Sequence, residues 1–392
     1  MLLTHRSNRR GTVLEQRIRD ERQTWRPRPT LAGRDYRDEE VWEEEKERIW
    51  HATWVCVGRA EEVERPGDYR TYDVAGESIV VTRNQAGELR GYYNVCSHRG
   101  TRLVDEGAGS VRKVFRCPYH AWTFDLDGRL VGTPNVEEDE HFDRDDYPLH
   151  RVHLDTYAGF LFANLSEGEP MPLREFLDSG AESLTHYDRF GMQDLRIGHR
   201  IVYEVRANWK IIVENYNECL HCPTIHPELV QVVPLFRFGE VWDEQIPDDG
   251  LQMVEGATSF NPTGKSTLPR LPGILPEDVN RYYGMYQFPN LAVDMHPDAV
   301  QYYLLVPRGP AHTTVISDYL FLPETIAERD VSEEPFVAFW DLISRQDWEV
   351  CERAQLGVSS RAYRAGVYPR KDRFLFWFNE QYRAAMGRER IG

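Results

Sequence analysis

Two pairs of cysteine and histidine residues constrain the fold of this chain more than any other feature. Cys96 and His98 form a C-x-H pair, and Cys117 and His120 form a C-x-x-H pair, with 18 residues between the two pairs. Each pair ends a strand-like run, so the sequence predicts two tight loops at strand ends. Two thiolates and two imidazoles can hold a tetrahedral zinc ion. They can also hold a two-iron cluster, with the cysteines on one iron and the histidines on the other.

The surrounding residues favour the iron–sulfur alternative. Zinc ribbons more often carry C-x-x-C knuckles, whereas one Cys and one His in each of two loops suit a divided cluster. The stretches NVCSHRGTRL and CPYHAWTFDLDG resemble the two loops of a Rieske domain. This resemblance implies a [2Fe-2S] cluster, with Cys96 and Cys117 on one iron and His98 and His120 on the other.

A second cluster of metal-binding residue types lies in ENYNECLHCPTIHPE, residues 214–228. His221 and His226 are five positions apart with Pro223 between them, so a helix must end or distort for both imidazoles to reach one ion. Two imidazoles and one carboxylate form the facial triad of mononuclear non-heme iron, which leaves positions open for dioxygen. Cys219 and Cys222 are predicted to pack in the core, because thiolates would favour zinc or a cluster.

The chain as a whole resembles the α subunits of Rieske non-heme iron oxygenases. The pattern NWK…ENY.EC.HC…HPE is matched almost letter for letter, and the two clusters follow in the family's order. The resemblance implies His221 and His226 as iron ligands and a third ligand from the late helix, where QDWEVCERAQLG supplies Asp347. Glu349 and Glu352 are the competing carboxylates in that helix.

Glu218 lies three residues before His221, so on a helix both side chains share one face. A carboxylate that accepts a hydrogen bond from a metal-bound imidazole orients the ring. The resemblance implies a homotrimer in which Glu218 bridges His221 to His120 of an adjacent subunit and carries electrons between them. It leaves the presence of a β subunit open.

The predicted fold class is α+β. Short strands and turns from Gly67 to about residue 135 indicate a compact all-β module, and later strands with the helix PFVAFWDLISRQDWEVCERAQLG indicate a larger α+β domain. Residues 231–279 show little periodicity, as in lids or covers. The resemblance implies an N-terminal arm (1–37) packing on the catalytic domain, a Rieske domain (38–155), and a helix-grip (START/Bet v1-like) catalytic domain with an antiparallel sheet (156–392).

Composition excludes several classes of partner. The net charge of −17 argues against binding to a nucleic-acid backbone, and no apolar run approaches the length needed to span a membrane. The Arg-rich N-terminus lacks the apolar core of a signal peptide, so we interpret it as an extended arm, with a transit peptide as the alternative. Six cysteines are few for 392 residues and predict no disulfide framework, so we expect a cytoplasmic protein.

The resemblance implies hydroxylation of a small molecule with dioxygen and two electrons from NAD(P)H. The sequence has no G-x-G-x-x-G fingerprint and no plant-type ferredoxin spacing, so a separate flavin- or ferredoxin-type reductase is expected. Many ring-dihydroxylating members carry Asp at the position of Glu218. In having Glu there, the chain resembles the branch of the family that acts on carnitine, glycine betaine and related quaternary amines.

Aromatic residues on the later strands could surround such a cation through cation–π contacts. The expected pocket aromatics are Tyr282, Tyr283, Tyr286, Phe288, Tyr302 and Tyr303. The first expectation is therefore N-methyl hydroxylation of a quaternary amine, with release of formaldehyde. The alternatives are ring hydroxylation of an aromatic acid or hydrocarbon, and, from a different class, an electron-transfer or zinc-structured binding protein.

Overall fold

The computed structural model describes residues 25–136, 141–178, 185–239 and 250–389. The chain divides into two compact units, one within residues 45–176 and the other combining residues up to 44 with residues from 177 onward. The first contains both Cys/His pairs, and the second contains His221, His226 and Asp347. The domain limits inferred from the sequence stay a prediction.

The strands of the described residues are short in the first unit and longer in the second. In chain order they are β1 (Arg28–Pro29), β2 (Val55–Arg59), β3 (Asp68–Val74), β4 (Glu77–Arg83), β5 (Leu89–Tyr93), β6 (Ala108–Ser110), β7 (Val114–Arg116), β8 (Thr123–Asp125), β9 (Leu130–Gly132), β10 (Arg151–Tyr157), β11 (Phe160–Asn164), β12 (Arg196–Val205), β13 (Leu251–Gln252), β14 (Arg281–Gln287), β15 (Leu291–Met295), β16 (Val300–Gly309), β17 (His312–Phe321) and β18 (Val367–Tyr368).

The helices of the described residues belong mainly to the second unit. They are α1 (Glu39–Glu45), α2 (Leu173–Asp178), α3 (Thr185–Arg189), α4 (Trp209–Tyr216), α5 (Cys222–Ile225), α6 (Leu229–Val232), α7 (Pro323–Glu328), α8 (Pro335–Val358) and α9 (Arg373–Ala385). Helix α8 begins with Pro335, whose fixed φ and missing N–H suit the first helical turn. Helix α4 begins after Asn208, whose side-chain Oδ1 accepts a hydrogen bond from the backbone N–H of Lys210 at 2.9 Å and so caps the helix.

The first unit is all-β, as predicted. Its larger sheet has the strand order β2-β11-β10-β5-β4-β3-β6, and its smaller sheet has the order β7-β8-β9. The first Cys/His pair lies between β5 and β6, and the second lies between β7 and β8. Both cysteines are buried in one apolar cluster with Phe115 and Trp122. The two predicted loops are therefore anchored in a common core.

The second unit is an antiparallel sheet with helices, which confirms the predicted α+β class. The strand order is β12-β17-β16-β15-β14-β13, with consecutive strands paired antiparallel. Helix α8 buries Phe336, Trp340 and Trp348. The Tyr303 and Ser344 hydroxyls, from β16 and α8, are 2.7 Å apart. This contact places one face of α8 against the sheet, where its residues can meet the strands.

The residues before α1 also belong to the second unit. Strand β1 pairs antiparallel with β18 near the other end of the chain. The Tyr36 and Tyr368 hydroxyls donate to Glu214, at 2.8 and 2.7 Å. Burial raises the pKa of Glu214, although the hydrogen bonds from these hydroxyls oppose that rise. The predicted arm spans residues 1–37, of which residues 1–24 lie outside the described residues.

The segment of low periodicity, residues 231–279, contributes several buried side chains to the core. Met253, Phe260 and Leu268 are buried, and the Phe260 ring stacks on Trp340 of α8 with centroids 5.5 Å apart. Residues 240–249 lie outside the described residues. Across the described ranges, no helix is both long enough and apolar enough to cross a bilayer.

Candidate functional site

Three side chains predicted to bind one metal ion come together in the second unit. The chain leaves α4 at Asn217, and a single turn of helix, α5, then separates His221 from His226. The intervening Pro223 starts this turn, so the two imidazoles do not follow one continuous helix. Asp347 reaches the same place from the middle of α8.

The ligand atoms of these three residues all lie within 4.8 Å of one another. Asp347 Oδ1 is 3.3 Å from Nε2 of His221 and 2.9 Å from Nε2 of His226. His226 is 1% exposed, so one side of the cluster is closed to solvent. Two imidazole nitrogens and one carboxylate oxygen that converge from one side match the facial triad of non-heme iron.

The outward-facing nitrogen of each histidine has its own acceptor. His221 Nδ1 is 2.6 Å from Oε1 of Glu218, and His226 Nδ1 is 2.7 Å from Oε1 of Gln346. Such contacts make Nδ1 the donor and leave Nε2 free to bind a metal. The residues present therefore fit a metal ion at the Nε2 side of both rings.

Gln346 was not predicted from the sequence. Its own amide donates to Oε2 of Glu228 at 3.3 Å, so the Glu of the HPE stretch holds the Gln that orients His226. No spacing signal marks this pair, because Gln346 and Glu228 are 118 positions apart. Its position beside Asp347 is the one sequence hint, since residues that orient metal ligands often neighbour them in space.

The electrostatics of the cluster favour a cation. Burial opposes the charged form of His221, but Asp347 and Glu218 together outweigh it and raise the pKa of the ring to about 10. Burial likewise opposes ionisation of Asp347, yet hydrogen bonds from His221 and His226 lower the pKa of this carboxyl below its usual value. A proton held at Nε2 of His221 would have to leave when a metal ion binds.

The competing carboxylates of α8 are engaged elsewhere. Glu349 pairs with Arg353 one turn along the same helix, and Glu352 pairs with Arg206 at 2.8 Å. Neither belongs to the convergent group of donors. Asp347 is therefore the carboxylate of this helix that can complete the triad.

Cys219 and Cys222 are buried in the core, as predicted, at 5% and 2% exposure. Their sulfur atoms are also joined in a disulfide, which the sequence reasoning did not predict. A C-x-x-C spacing permits such a bond, and that spacing was the available signal. The bond leaves neither sulfur as a thiolate ligand for the neighbouring metal site.

A pocket opens directly onto this cluster. It encloses about 750 Å³ of empty space, with open solvent at its mouth included, and His221, His226 and Asp347 are in its wall. Of the six aromatics predicted to line it, three do so, and the structure adds Tyr216, Phe236 and Trp340. The three confirmed residues are Tyr282, Tyr286 and Tyr303.

For the other three aromatics the prediction was wrong. Tyr283 turns away and donates to Asp278 at 2.6 Å, Tyr302 donates to Asp318, and Phe288 packs against Trp209. Alternate residues of a strand face opposite sides of a sheet, so adjacent tyrosines cannot both reach one pocket.

The two Cys/His pairs of the first unit also form a cluster. The His98 and His120 rings have centroids 4.7 Å apart, and Cys96 and Cys117 are each 2% exposed. Nδ1 of His120 is buried without a hydrogen-bond partner among the described residues, as expected of a nitrogen that binds a metal. Burial raises the pKa of Cys96 to about 11, so a thiolate here needs a cation beside it. The donor set fits a [2Fe-2S] cluster.

Comparisons with known families agree with both sites. Residues 53–157 match the Rieske [2Fe-2S] domain, and residues 192–388 match the catalytic domain of the ring-hydroxylating α subunits. The carnitine monooxygenase oxygenase subunit of Acinetobacter baumannii is 31% identical, over 84% of this chain and 85% of its own length. The glycine betaine monooxygenase oxygenase subunit of Chromohalobacter salexigens is 29% identical, over 86% of this chain and 81% of its own.

Solved structures share the same architecture. A quaternary ammonium Rieske monooxygenase, whose structure was described for carnitine oxidation and inter-subunit electron transfer, superposes with a TM-score of 0.74 at 27% identity, covering 92% of this chain and 96% of its own. Naphthalene 1,2-dioxygenase from Rhodococcus sp. shares the fold, with a TM-score of 0.66 at 20% identity, covering 97% and 98% of the two chains.

These matches decide between the alternatives left open by the sequence. A zinc-structured binding protein or a pure electron carrier would not contain the catalytic domain of a ring-hydroxylating α subunit, which residues 192–388 match. The cofactors are a Rieske [2Fe-2S] cluster and a mononuclear non-heme iron, and the activity is an oxidation that incorporates dioxygen. Electrons come from NAD(P)H through a separate reductase, as is typical of such multicomponent systems. The chain therefore belongs to the Rieske non-heme iron oxygenases, as an oxygenase subunit.

Proposed function

We propose that His221, His226 and Asp347 bind the mononuclear iron, and that Cys96, His98, Cys117 and His120 bind the [2Fe-2S] cluster. The observation that carries the first assignment is the convergence of three ligand atoms within 4.8 Å at the wall of a pocket. The buried, unpartnered Nδ1 of His120 supports the second assignment.

Iron at this site supplies dioxygen activation, and the protein supplies position and exclusion of water. Glu218 and Gln346 fix the orientation of the two histidine rings. Asp347 provides a negative charge that offsets the metal's charge in a buried setting. The aromatic wall of the pocket keeps bulk water from the reacting carbon, which limits side reactions.

We propose a small quaternary amine, such as carnitine or glycine betaine, as the substrate. The pocket is lined by the rings of Tyr282, Tyr303 and Trp340, and aromatic faces attract a trimethylammonium group by roughly 0.5–2 kcal/mol per contact. The relatives named for carnitine and glycine betaine support the same class. Hydroxylation of an N-methyl carbon gives an N–CH2OH group; its N–C bond then breaks, which releases formaldehyde and a proton and leaves the tertiary amine with the bonding electron pair.

We further propose that the subunit works as a homotrimer, with Glu218 linking His221 to His120 of an adjacent subunit. Oε1 of Glu218 accepts a hydrogen bond from Nδ1 of His221, and Oε2 accepts hydrogen bonds from the backbone N–H groups of Leu220 and His221. A carboxylate has about four acceptor positions, so a further donor can be accommodated. The inter-subunit electron transfer described for a related structure supports this role. Location in the cytoplasm stays a prediction.

Oxygen uptake with a generic reductase across a panel of substrates tests the function. The panel contains carnitine, glycine betaine, choline and stachydrine beside benzoate, salicylate and phthalate. We expect oxygen consumption with formaldehyde release for at least one amine. Ring hydroxylation of an aromatic acid, with no formaldehyde from any amine, would replace this substrate class by the alternative one.

The bridge is tested separately with Glu218→Gln. The variant is expected to retain iron and cluster, because the amide oxygen still accepts from His221. Reoxidation of the reduced Rieske cluster in the presence of substrate and dioxygen should be slower than in the wild type. Reoxidation at the wild-type rate would show that Glu218 only orients the histidine.

A further inference from the structure

A buried carboxylate lies beside the pocket, and none of the described residues gives it a cationic partner. Asp294 of β15 is fully buried, at 0% exposure. Its Oδ1 accepts hydrogen bonds from the hydroxyls of Tyr216 and Tyr282, at 3.0 and 2.6 Å. Its Oδ2 is buried and has no hydrogen-bond partner in the part of the chain that the structure describes.

The groups around Asp294 do not neutralise it. Within the described ranges it forms no ion pair, and the titratable groups that face it are the phenols of Tyr216, Tyr282 and Tyr303 and the carboxylate of Asp347. The nearby imidazole of His296, stacked on Tyr282 at 5.2 Å, is kept neutral because burial holds its pKa well below the usual value. An uncompensated buried charge costs several kcal/mol, so such a group marks a functional site more often than a structural one.

The two tyrosines connect this carboxylate to the pocket. Tyr216, Tyr282 and Gly284 all line the pocket wall. A Cβ at position 284 would lie 3.4 Å from Oδ1 of Asp294 and would collide with the hydroxyl of Tyr282. The absence of a side chain at Gly284 therefore leaves room for the Tyr282 hydroxyl beside the carboxylate, as glycine in a strand often does where another group approaches closely.

We propose that the unit formed by Tyr216, Asp294 and Tyr282 selects a cationic substrate group, with Asp294 as the negative charge and the two phenols as its contact surface. This inference rests on the proposed function, because it names what makes that pocket specific for quaternary amines. Asp294 is a specificity residue, and it acts on the substrate through the tyrosines and through its field.

The chemistry of a quaternary ammonium group suits this arrangement. Such a cation has no N–H to donate, so it cannot form the direct ion-pair hydrogen bonds that Lys or Arg would use. It responds to a negative potential and to aromatic faces. A phenol that donates to a carboxylate carries more negative charge on its ring, so Tyr282 is the better cation–π partner because Asp294 lies behind it.

The test compares cations with neutral isosteres of the same shape. The probes are glycine betaine with 3,3-dimethylbutanoate, and choline with 3,3-dimethylbutan-1-ol, each titrated calorimetrically into the iron-loaded holoenzyme. In Asp294→Asn, affinity for each cation is expected to fall by at least about tenfold, which corresponds to about 1.4 kcal/mol. Affinity for each isostere should stay within about twofold, and iron content should match the wild type.

Asp298→Asn is the matched control. Asp298 is also buried and accepts a hydroxyl hydrogen bond, but its donor, Ser266, does not line the pocket, whereas the two tyrosines that donate to Asp294 do. Its replacement should leave the ratio of cation to isostere affinity unchanged. If Asp294→Asn lost affinity equally for the cation and its isostere, or lost affinity for neither, the inference would be overturned while the proposed function stayed intact. Failure of the wild type to bind any cation would overturn both.

A second measurement needs no variant. Burial raises the pKa of Asp294 to about 7, so this carboxylate becomes protonated as the pH falls through neutrality. The wild-type ratio of choline affinity to 3,3-dimethylbutan-1-ol affinity should then fall several-fold between about pH 8 and about pH 5.5. A ratio that is constant over this range contradicts the role of Asp294.

Discussion

Gln346 orients one histidine of the metal centre, and its replacement by methionine is expected to weaken iron binding without unfolding the protein. In the native protein the Nδ1–H of His226 donates to the Gln346 amide oxygen at 2.7 Å. His226 is 1% exposed, so water cannot take the place of the lost acceptor. Methionine keeps the length and the helix propensity of glutamine but provides no strong acceptor.

The expected loss of Fe(II) affinity follows from the Nδ1–H of His226, which has no acceptor in the variant. A buried donor left without a partner costs about 1–3 kcal/mol. The iron-bound form, in which Nε2 is fixed to the metal, carries this cost, whereas the free ring can turn to find another partner. At about 1.4 kcal/mol per tenfold, the affinity for Fe(II) falls by about 5- to 150-fold. Loss of an outer partner of a metal-binding histidine typically costs about 10- to 100-fold, in the same range.

The assay is anaerobic competition for Fe(II) between the protein and a chelator of known affinity. The visible spectrum of the Rieske cluster reports in the same sample that the first unit is folded, and the thermal unfolding transition of the iron-free chain reports the same for the second unit. Glu349→Gln, an exposed change on the same helix, is the control and should bind iron like the wild type. Glu228→Ala, which removes the acceptor for the Gln346 amide, should lose only about 2- to 12-fold, since one ordinary hydrogen bond contributes about 0.5–1.5 kcal/mol. Iron affinity of Gln346→Met within about twofold of wild type would refute the reasoning.

Other predictions concern the ligand set, the pocket and the pH dependence of stability. Asp347→Ala should lower total iron from about three to about two per chain, with the Rieske spectrum unchanged; metal analysis checks this, and three retained irons would exclude Asp347 as a ligand. Gly284→Ala should raise KM for trimethylammonium substrates by about tenfold, because the new methyl group meets the Tyr282 hydroxyl; unchanged steady-state kinetics would contradict this. Burial, with nearby carboxylates adding to it, raises the pKa of Asp372 to about 7, above its unfolded value. The native state therefore binds this proton more tightly than the unfolded chain, and stability falls as the pH rises from about 4 to about 7. Asp372→Asn should melt at a higher temperature than wild type at about pH 8 and at the same temperature near pH 4; equal melting at both would contradict the shift.

Most of the residues proposed to bind metal could be identified from the sequence because their spacing is local. Cys96 with His98, and His221 with His226, are close in sequence, so their residue types alone indicate a shared site. Asp347 is 121 positions beyond His226, and only the resemblance to a family pointed to it. Residue type and spacing alone did not separate it from the other carboxylates of its helix, whereas their ion pairs in the folded chain do.

The pocket was harder to predict because it depends on which side of each strand faces inward. Tyr282 and Tyr283 are adjacent and have the same residue type, yet one lines the pocket and the other donates to Asp278. Asp294 gave no signal, since a carboxylate in a strand is ordinarily an exposed residue. Its burial follows from the central place of β15 between β14 and β16, which only the folded sheet reveals.

The distance along the chain between the proposed iron ligands has a consequence for the integrity of the catalytic unit. His226 and Asp347 are separated by 121 residues, and β13 to β17 lie between them. A metal ion held at both ends closes this long loop, and the entropy that it removes from the unfolded chain grows with the logarithm of loop length. Iron would thus act as a reversible cross-link as well as a reactive centre. The unfolding temperature of this unit should rise with the logarithm of free Fe(II) concentration, so iron starvation would leave a less stable chain as well as an inactive one.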